Sequence, residues 1–232
     1  MFYSLSEKGE IEMCKYVVVD LEMCRVSKQV RRHSFYNYGL ELIQIGAVLV
    51  DESFNIIDSF NSYVSPQVGE LDRFISKLTN ITDKDINGAP AFARAMDSFL
   101  DWMPEDVTLV SWSRSDEAQI RREAALKGYE NERLDDLLGN VIDCQKMFEK
   151  KIDINRAYNL GEALNLTDIC QEERLHDGLA DARYTAELFV KMMKNEKLFN
   201  SFYETAHNDC TEHLGTSLGN LLAGLNLSGC VA

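Results

Sequence analysis

Carboxylates placed where apolar side chains belong are the first chemical signal in this chain. Asp20 and Glu22 end the run Tyr16-Val-Val-Val-Asp20-Leu-Glu22. In a strand, residues i and i+2 point to the same side. Both acids therefore project together from a segment that otherwise reads as buried. Two such anions repel, and each costs free energy to desolvate unless it is paired. A divalent cation removes that conflict, and oxygen ligands suit magnesium or manganese. A sheet-edge pair facing water is the simpler alternative, because Asp-x-Glu is a common string.

Two more regions carry acids in informative places. Asp116 follows the run Val107-Thr-Leu-Val-Ser-Trp112, at the carboxyl end of a strand, where open α/β sheets place their sites. Ser113 and Asp116 also have capping-box spacing, which would make the acid structural. The third region reads Arg174-Leu-His176-Asp-Gly-Leu-Ala-Asp181-Ala-Arg-Tyr-Thr185. Asp177 is a plausible helix cap, so Asp181 lies in the first turns with Thr185 and Leu188 on its face. His176 stands just ahead of the helix, close enough to swing beside Asp181. Gly178, Ala180 and Ala182 allow that helix to approach a sheet closely. A loop histidine and a helix-start aspartate are the alternatives.

Together, Asp20, Glu22, Asp116 and Asp181 come from three chain regions, each at a strand end or a helix start. Four converging carboxylates call for about two divalent cations, which can activate a water and stabilise the leaving oxygen of a phosphodiester. An imidazole titrates near neutrality, so His176 is suited to take the proton from that water.

The elements that position these residues follow from periodicity. Apolar runs and alternation predict strands over 16–22, 42–50 and 56–64, a three-strand meander. Residues 25–40 read as a basic, aromatic loop with Arg25, Lys28, Arg31, Arg32, His33, Phe35, Tyr36 and Tyr38. That loop is either a local phosphate attractor or a solvated charge run. Helical stripes follow over 70–78 and up to Trp102, with a capping box at 82–85 and Pro90 as a first helical position. A fourth strand spans 107–112, a helix 115–127 ends at Gly128, and a short fifth strand is expected near 140–143. Helices at 160–164 and 177–194 come next, and 216–225 is a candidate short apolar helix. Strands first, then alternating helix and strand, give an α/β domain with a mixed sheet and helices on both faces. Trp112 is either core or a base-stacking ring.

Composition limits the function classes. The 232 residues carry 24 Lys+Arg against 38 Asp+Glu, a net charge of −14. Coating or architectural nucleic-acid proteins need a basic surface, so they are excluded, whereas an enzyme bringing cations to a local site is not. The six cysteines (14, 24, 144, 170, 210 and 230) show no zinc spacing, and they read as free thiols in a reducing cytoplasm. The sequons at Asn80, Asn165 and Asn226 then have no consequence. Neither a signal peptide nor a membrane span is expected.

The three motifs, VVVDLEMC, LVSWSRSDEAQI and HDGLADARYTAELF, resemble those of the DEDDh 3′–5′ exonucleases, relatives of ribonuclease T and the polymerase III proofreading subunit. ELIQIGAVLVD, FNSYVSP and LTNITDKDI are similar to family segments in order and spacing. The KapD and ERI-type enzymes look nearest. The likeness covers residues 14–193 and includes all five defining residues. Two departures are Asn80, where the family often has glycine, and the segment after Asn195.

That resemblance implies an RNase H-like, mixed five-stranded sheet flanked by helices and two Mg2+ or Mn2+ ions. It makes Asp20 the bridging ligand, places Glu22 and Asp181 on the ion that holds the water, and gives Asp116 to the other ion. His176 becomes the general base. The backbone at Leu21, Met23 and Cys24 would meet the terminal nucleotide, with Glu41 near its sugar. The expected domains are a lead (1–13), an exonuclease domain (14–195) and a C-terminal helical extension or mobile tail (196–232). The expected function is 3′–5′ hydrolysis of short single-stranded RNA or DNA to nucleoside 5′-monophosphates in the cytoplasm. The alternatives are a catalytically silent binding or adaptor protein on the same fold, and an RNase H-like endonuclease. The spacing His176-x4-Asp181 favours the exonuclease.

Overall fold

The run Tyr16-Val-Val-Val-Asp20 forms the middle of a central strand, Lys15–Arg25 (β1), in the computed structural model, which describes residues 14–153, 156–167 and 169–198. The expected lead and nearly all of the expected C-terminal extension, including 216–225, lie outside the described residues. β1 pairs antiparallel with Leu40–Val50 (β2) and parallel with Val107–Ser111 (β4). Ile56–Tyr63 (β3) extends the sheet beyond β2, and the two-residue Ile142–Asp143 (β5) lies beside β4. The order β3-β2-β1-β4-β5 makes the mixed five-stranded sheet that the family resemblance implied.

Helix α1 (Lys28–His33) lies between β1 and β2. Helices α2 (Arg73–Thr79), α3 (Asp83–Ile86) and α4 (Phe92–Trp102) separate β3 from β4. Helices α5 (Ser115–Lys127) and α6 (Glu132–Gly139) precede β5. Helices α7 (Cys144–Ile152), α8 (Leu160–Leu166) and α9 (Gly178–Met193) follow it. β2 is buried almost throughout, as expected of an interior strand covered on both faces.

Alternation along β1 assigns its two faces. Val17, Val19 and Leu21 join a core with Phe92, Met96, Phe99, Ile120 and Leu134. Val18 joins the opposite core with Val48, Val110, Phe148, Leu164 and Phe189. Asp20 and Glu22 share the parity of Val18, so they emerge on the α9 side of the sheet. The sheet therefore presents these acids to the helix that carries Asp181.

Several expectations need correction. The segment 25–40 is not all loop, because Ser27 caps α1 by accepting from the Val30 amide. The helix expected from Glu70 starts at Arg73, where the Asp72 carboxylate accepts from Phe74 and Ile75. Pro90 precedes the α4 cap, Ala91, and is not a first helical residue. Ser113 does not cap α5: its hydroxyl pairs with that of Ser115, and Arg114 occupies the cap. Helices α6 and α7 carry no cue in the sequence reading, although Asn131 and Asp143 cap them. Trp112 is core, 8 % exposed, with its Nε1–H donating to the Tyr158 carbonyl. Asn80 takes the left-handed position that ends α2 (φ 61°), which accounts for a glycine alternative there.

α9 meets the sheet at unusually short range. A Cβ on Gly46 would lie 2.1 Å from the Gly178 carbonyl carbon and 2.2 Å from the Leu179 nitrogen. Both are backbone atoms, so the helix start itself would have to move. Gly46 is the register partner of Asp20, and displacement there separates Asp20 from Asp181. Gly46→Ala is expected to destabilise the fold by about 1–3 kcal/mol, as overpacking does, lowering Tm by several degrees in a thermal melt. Hydrolysis should fall further than the melt alone explains. A variant with wild-type Tm and wild-type rate would show that the close approach is dispensable.

Candidate active site

Three elements deliver the acids. β1 carries Asp20 and Glu22, the first turn of α5 carries Asp116, and the first turn of α9 carries Asp181. Asp177 caps α9, accepting from the amides of Leu179 and Ala180. This fixes the helix start, and the Gly178 amide donates to Gln44 Oε1 on β2. His176 adopts φ 69°, a left-handed conformation uncommon for a side-chain-bearing residue. Its amide donates to Asp181 Oδ2 at 3.0 Å, so the strained residue is tied to the acid beside it. Ligand atoms of Glu22, His176 and Asp181 all lie within 4.8 Å of one another. His176 is exposed, while Glu22, Asp116 and Asp181 are buried.

Burial and mutual repulsion dominate the electrostatics. Burial, then the charges of Asp116, Asp181, Glu22 and Asp177, push the Asp20 carboxyl well above the usual range. Glu22 is pushed to about 8, by burial first and then by Asp181, Asp177 and Asp116. Burial raises Asp116 to about 7 despite hydrogen bonds from its own amide and that of Leu21, with Asp181 adding to the rise. Asp181 rises to about 6, again by burial, partly offset by the His176 amide and charge. Asp181 Oδ1 is buried with no hydrogen-bond partner. Unpartnered buried carboxylate oxygens that repel one another are what a hard divalent cation satisfies, so the donor set fits magnesium or manganese.

A stability prediction follows from these directions. Ordinary carboxyls titrate near pH 4, whereas the folded site still holds protons up to about pH 8. Across that window the folded chain binds more protons than the unfolded chain, so stability of the metal-free form falls as pH rises. Tm measured in EDTA should therefore decline from pH 5 to pH 8. Manganese should raise Tm more at pH 8, where protons compete less for the same oxygens. Equal metal-induced shifts at both pH values would contradict the ligand assignment.

The residues expected to contact a nucleotide lie just beyond the acids. Leu21 and Cys24 point their side chains into cores, and Met23 is half-buried. The β1–β2 register shifts between Glu22 and Met23, a bulge of the kind that re-aims backbone beside active sites. Glu41 is fully buried in a separate network. Its carboxylate accepts from the amides of Gln67, Val68 and Gly69 and pairs with Lys127 Nζ at 2.7 Å. Lys127 also pairs with buried Glu123, which accepts from the Leu42 amide. Burial alone would raise the Glu41 carboxyl, but Lys127 and the Gln67 and Val68 amides hold it below its usual range. The structure thus gathers Asp20, Glu22, Asp116, His176 and Asp181 in one site, while the Glu41 side chain organises the 67–69 loop.

Three side chains behave differently from what the sequence alone indicates. Asp177 adds charge to the site as well as capping α9. Gln44 is fully buried, and a glutamine inside the apolar run LELIQIGAV was a visible anomaly. Phe74 is 58 % exposed with the Arg25 guanidinium 5.0 Å above its ring, at the end of β1. The helical stripe over 70–78 marks Phe74 as core-facing, but in α2 it is Ile75 that is buried while Phe74 turns outward.

A sheet of this order with acids from three segments and a histidine at the mouth defines the nuclease class of the RNase H-like fold. The chain belongs to the RNase T exonuclease family, whose model matches residues 17–189, and its five site residues make it a member of the DEDDh kind. A PolC-type DNA polymerase III from Caldanaerobacter subterraneus subsp. tengcongensis is 29 % identical over 182 residues, 78 % of this chain and 12 % of that protein. The 3′-5′ exoribonuclease 1 of Rattus norvegicus is 26 % identical over 68 % of this chain and 50 % of its own length. This chain thus spans only a small part of the polymerase and half of the exoribonuclease. Among solved structures, the nuclease domain of 3′hExo, a DEDDh family member bound to rAMP, superimposes with TM-score 0.68 at 20 % identity, covering 80 % of this chain and 94 % of that one. Cell-death related nuclease 4 gives 0.65 at 21 % identity, over 79 % and 66 % of the two chains.

Proposed function

We propose that this chain is a metal-dependent 3′–5′ exonuclease that removes nucleoside 5′-monophosphates from single-stranded RNA or DNA ends. The observation that carries the reading is the gathering of four carboxylates from three chain segments, one with a buried unpartnered oxygen, beside an exposed histidine whose amide is bonded to that same acid. Asp20, Glu22, Asp116 and Asp181 would hold two divalent ions. When bound, such ions lower the pKa of a water and offset charge on the leaving oxygen.

The chain's own residues do the rest. The Asp181–His176 hydrogen bond holds the histidine at the mouth of the site, where a ring nitrogen can take a proton from water. The α9 cap and the Gly46–Gly178 contact keep Asp181 opposite Asp20. The exposed Phe74 ring offers a stacking face for a base. Repulsion between the acid cluster and phosphate makes seating of the 3′-terminal phosphate dependent on the ions, in keeping with a net charge of −14. Among the described residues, no helix is long and apolar enough to cross a membrane.

A labelled ladder tests the proposal. 5′-Labelled single-stranded RNA and DNA with manganese should shorten stepwise from the 3′ end, and EDTA should stop the reaction. A circular strand should survive, since it has no terminus. Cleavage of the circle would instead indicate an endonuclease, and binding without shortening would favour the catalytically silent alternative.

A further inference from the structure

We propose that α1 and the adjoining face of α5 form a track for the single strand upstream of the 3′-terminal residue. The inference rests on the exonuclease reading above. α1 is only six residues long and has no buried residue, so it contributes nothing to either core. A helix this short is not stable by itself. Tertiary contacts hold it: buried Tyr36 donates to the Leu40 carbonyl at 2.7 Å, and the Arg31 guanidinium packs at Gly39.

What the helix presents is charge. Lys28, Arg32 and His33 are exposed and Arg31 is half-buried, all within six residues, with no acid in the first turn. Among the described residues, none of these four makes an ion pair with an acid. In a chain of net charge −14 this is a local reversal of sign.

Aromatic rings interleave with the charges. Phe35 is 59 % exposed and stands edge-on to the anchored Tyr36. Arg122 of α5 lies 3.9 Å over the Tyr38 ring, which adds a cation from a second element. Cations beside the exposed Phe35 ring suit a single strand, whose phosphates and unpaired bases are both accessible. A duplex would offer the rings nothing to stack on.

The patch also adjoins the acid site through continuous structure. β1 carries Glu22 and, about 10 Å further at ~3.3 Å per residue, Arg25 before α1. Helix α5 begins at the Asp116 turn and reaches Arg122 about 9 Å along, at 1.5 Å per residue. Gln119 of α5 donates to the Leu40 carbonyl, where the α1 segment rejoins the sheet. A strand whose 3′ end lies at the acids therefore passes this surface within a few nucleotides.

The test separates the track from the site. In the full chain, Lys28→Glu/Arg32→Glu should raise KM about tenfold for a strand of about 20 nucleotides and leave kcat unchanged. For a substrate of about three nucleotides both constants should hold. The slope of log affinity against log salt for the long strand should become shallower by about one to two. Phe35→Ser should weaken long-strand binding while leaving that slope intact, because stacking releases no counterion. Anisotropy of a fluorescent 20-nucleotide strand in EDTA reads the same differences without turnover. Equal losses on short and long substrates, or unchanged salt slopes, would overturn the track. A wild-type chain that binds the long strand through this patch but never shortens it would sink the exonuclease reading and leave the track standing.

Discussion

Asp20→Asn should lower hydrolysis by about 10³-fold or more while leaving the fold at least as stable as wild type in EDTA at pH 8. The rate loss follows from the place of Asp20, which is repelled by Asp116, Asp181, Glu22 and Asp177 together. A ligand that faces every other acid is the one whose removal weakens the grip on any cation most. Lost Lewis-acid stabilisation of several kcal/mol corresponds to three or more powers of ten, at 1.36 kcal/mol each. The stability gain has the same origin. Burial and repulsion destabilise the Asp20 anion, and a neutral amide of equal size removes both. The paired measurement is a single-turnover rate with manganese and a thermal melt without it. A variant that keeps its rate would refute the metal assignment. A variant that loses both rate and fold would show the carboxylate to be structural.

His176→Asn should slow the chemical step by roughly 10²–10⁴-fold, the usual contribution of a general base. Asparagine is the informative replacement because it tolerates positive φ, so the 69° backbone and the amide bond to Asp181 survive. The metal-induced rise in Tm should also survive, since the acids remain. A lost metal response would make His176 a ligand, and unchanged rates across pH would remove it from proton transfer. KM for the long strand should move little, because the imidazole lies at the mouth of the site and not along the strand.

The site acids differ in how plainly the sequence marks them. Asp20 and Glu22 were conspicuous because carboxylates interrupt a β-branched run that had to be interior. Asp181 and His176 were conspicuous by their spacing around a helix cap. Asp116 carried the weakest signal, since an acid in a first helical turn is common. The Leu21 amide hydrogen bond and the mutual repulsion with Asp20, Glu22 and Asp181 place it with the others. Glu41 shows the opposite case. The family resemblance puts it near the sugar of the terminal nucleotide, but its carboxylate is engaged by Lys127 and three loop amides.

Local pattern determined much about this protein. Strand parity put both motif acids on one side of the sheet, the Asp177 cap set where α9 begins, and the order of apolar runs gave a mixed α/β sheet. What only the tertiary structure decided depends on distances between segments far apart in sequence. Examples are the close approach of Gly46 to Gly178 that sets Asp181 opposite Asp20, the buried Glu41–Lys127–Glu123 network, and the α1 cations that form no ion pair among the described residues. A sequence pattern records which face each residue occupies within its own element. The depth of burial, and therefore the desolvation that raises the site carboxyls, arises only when the elements pack together.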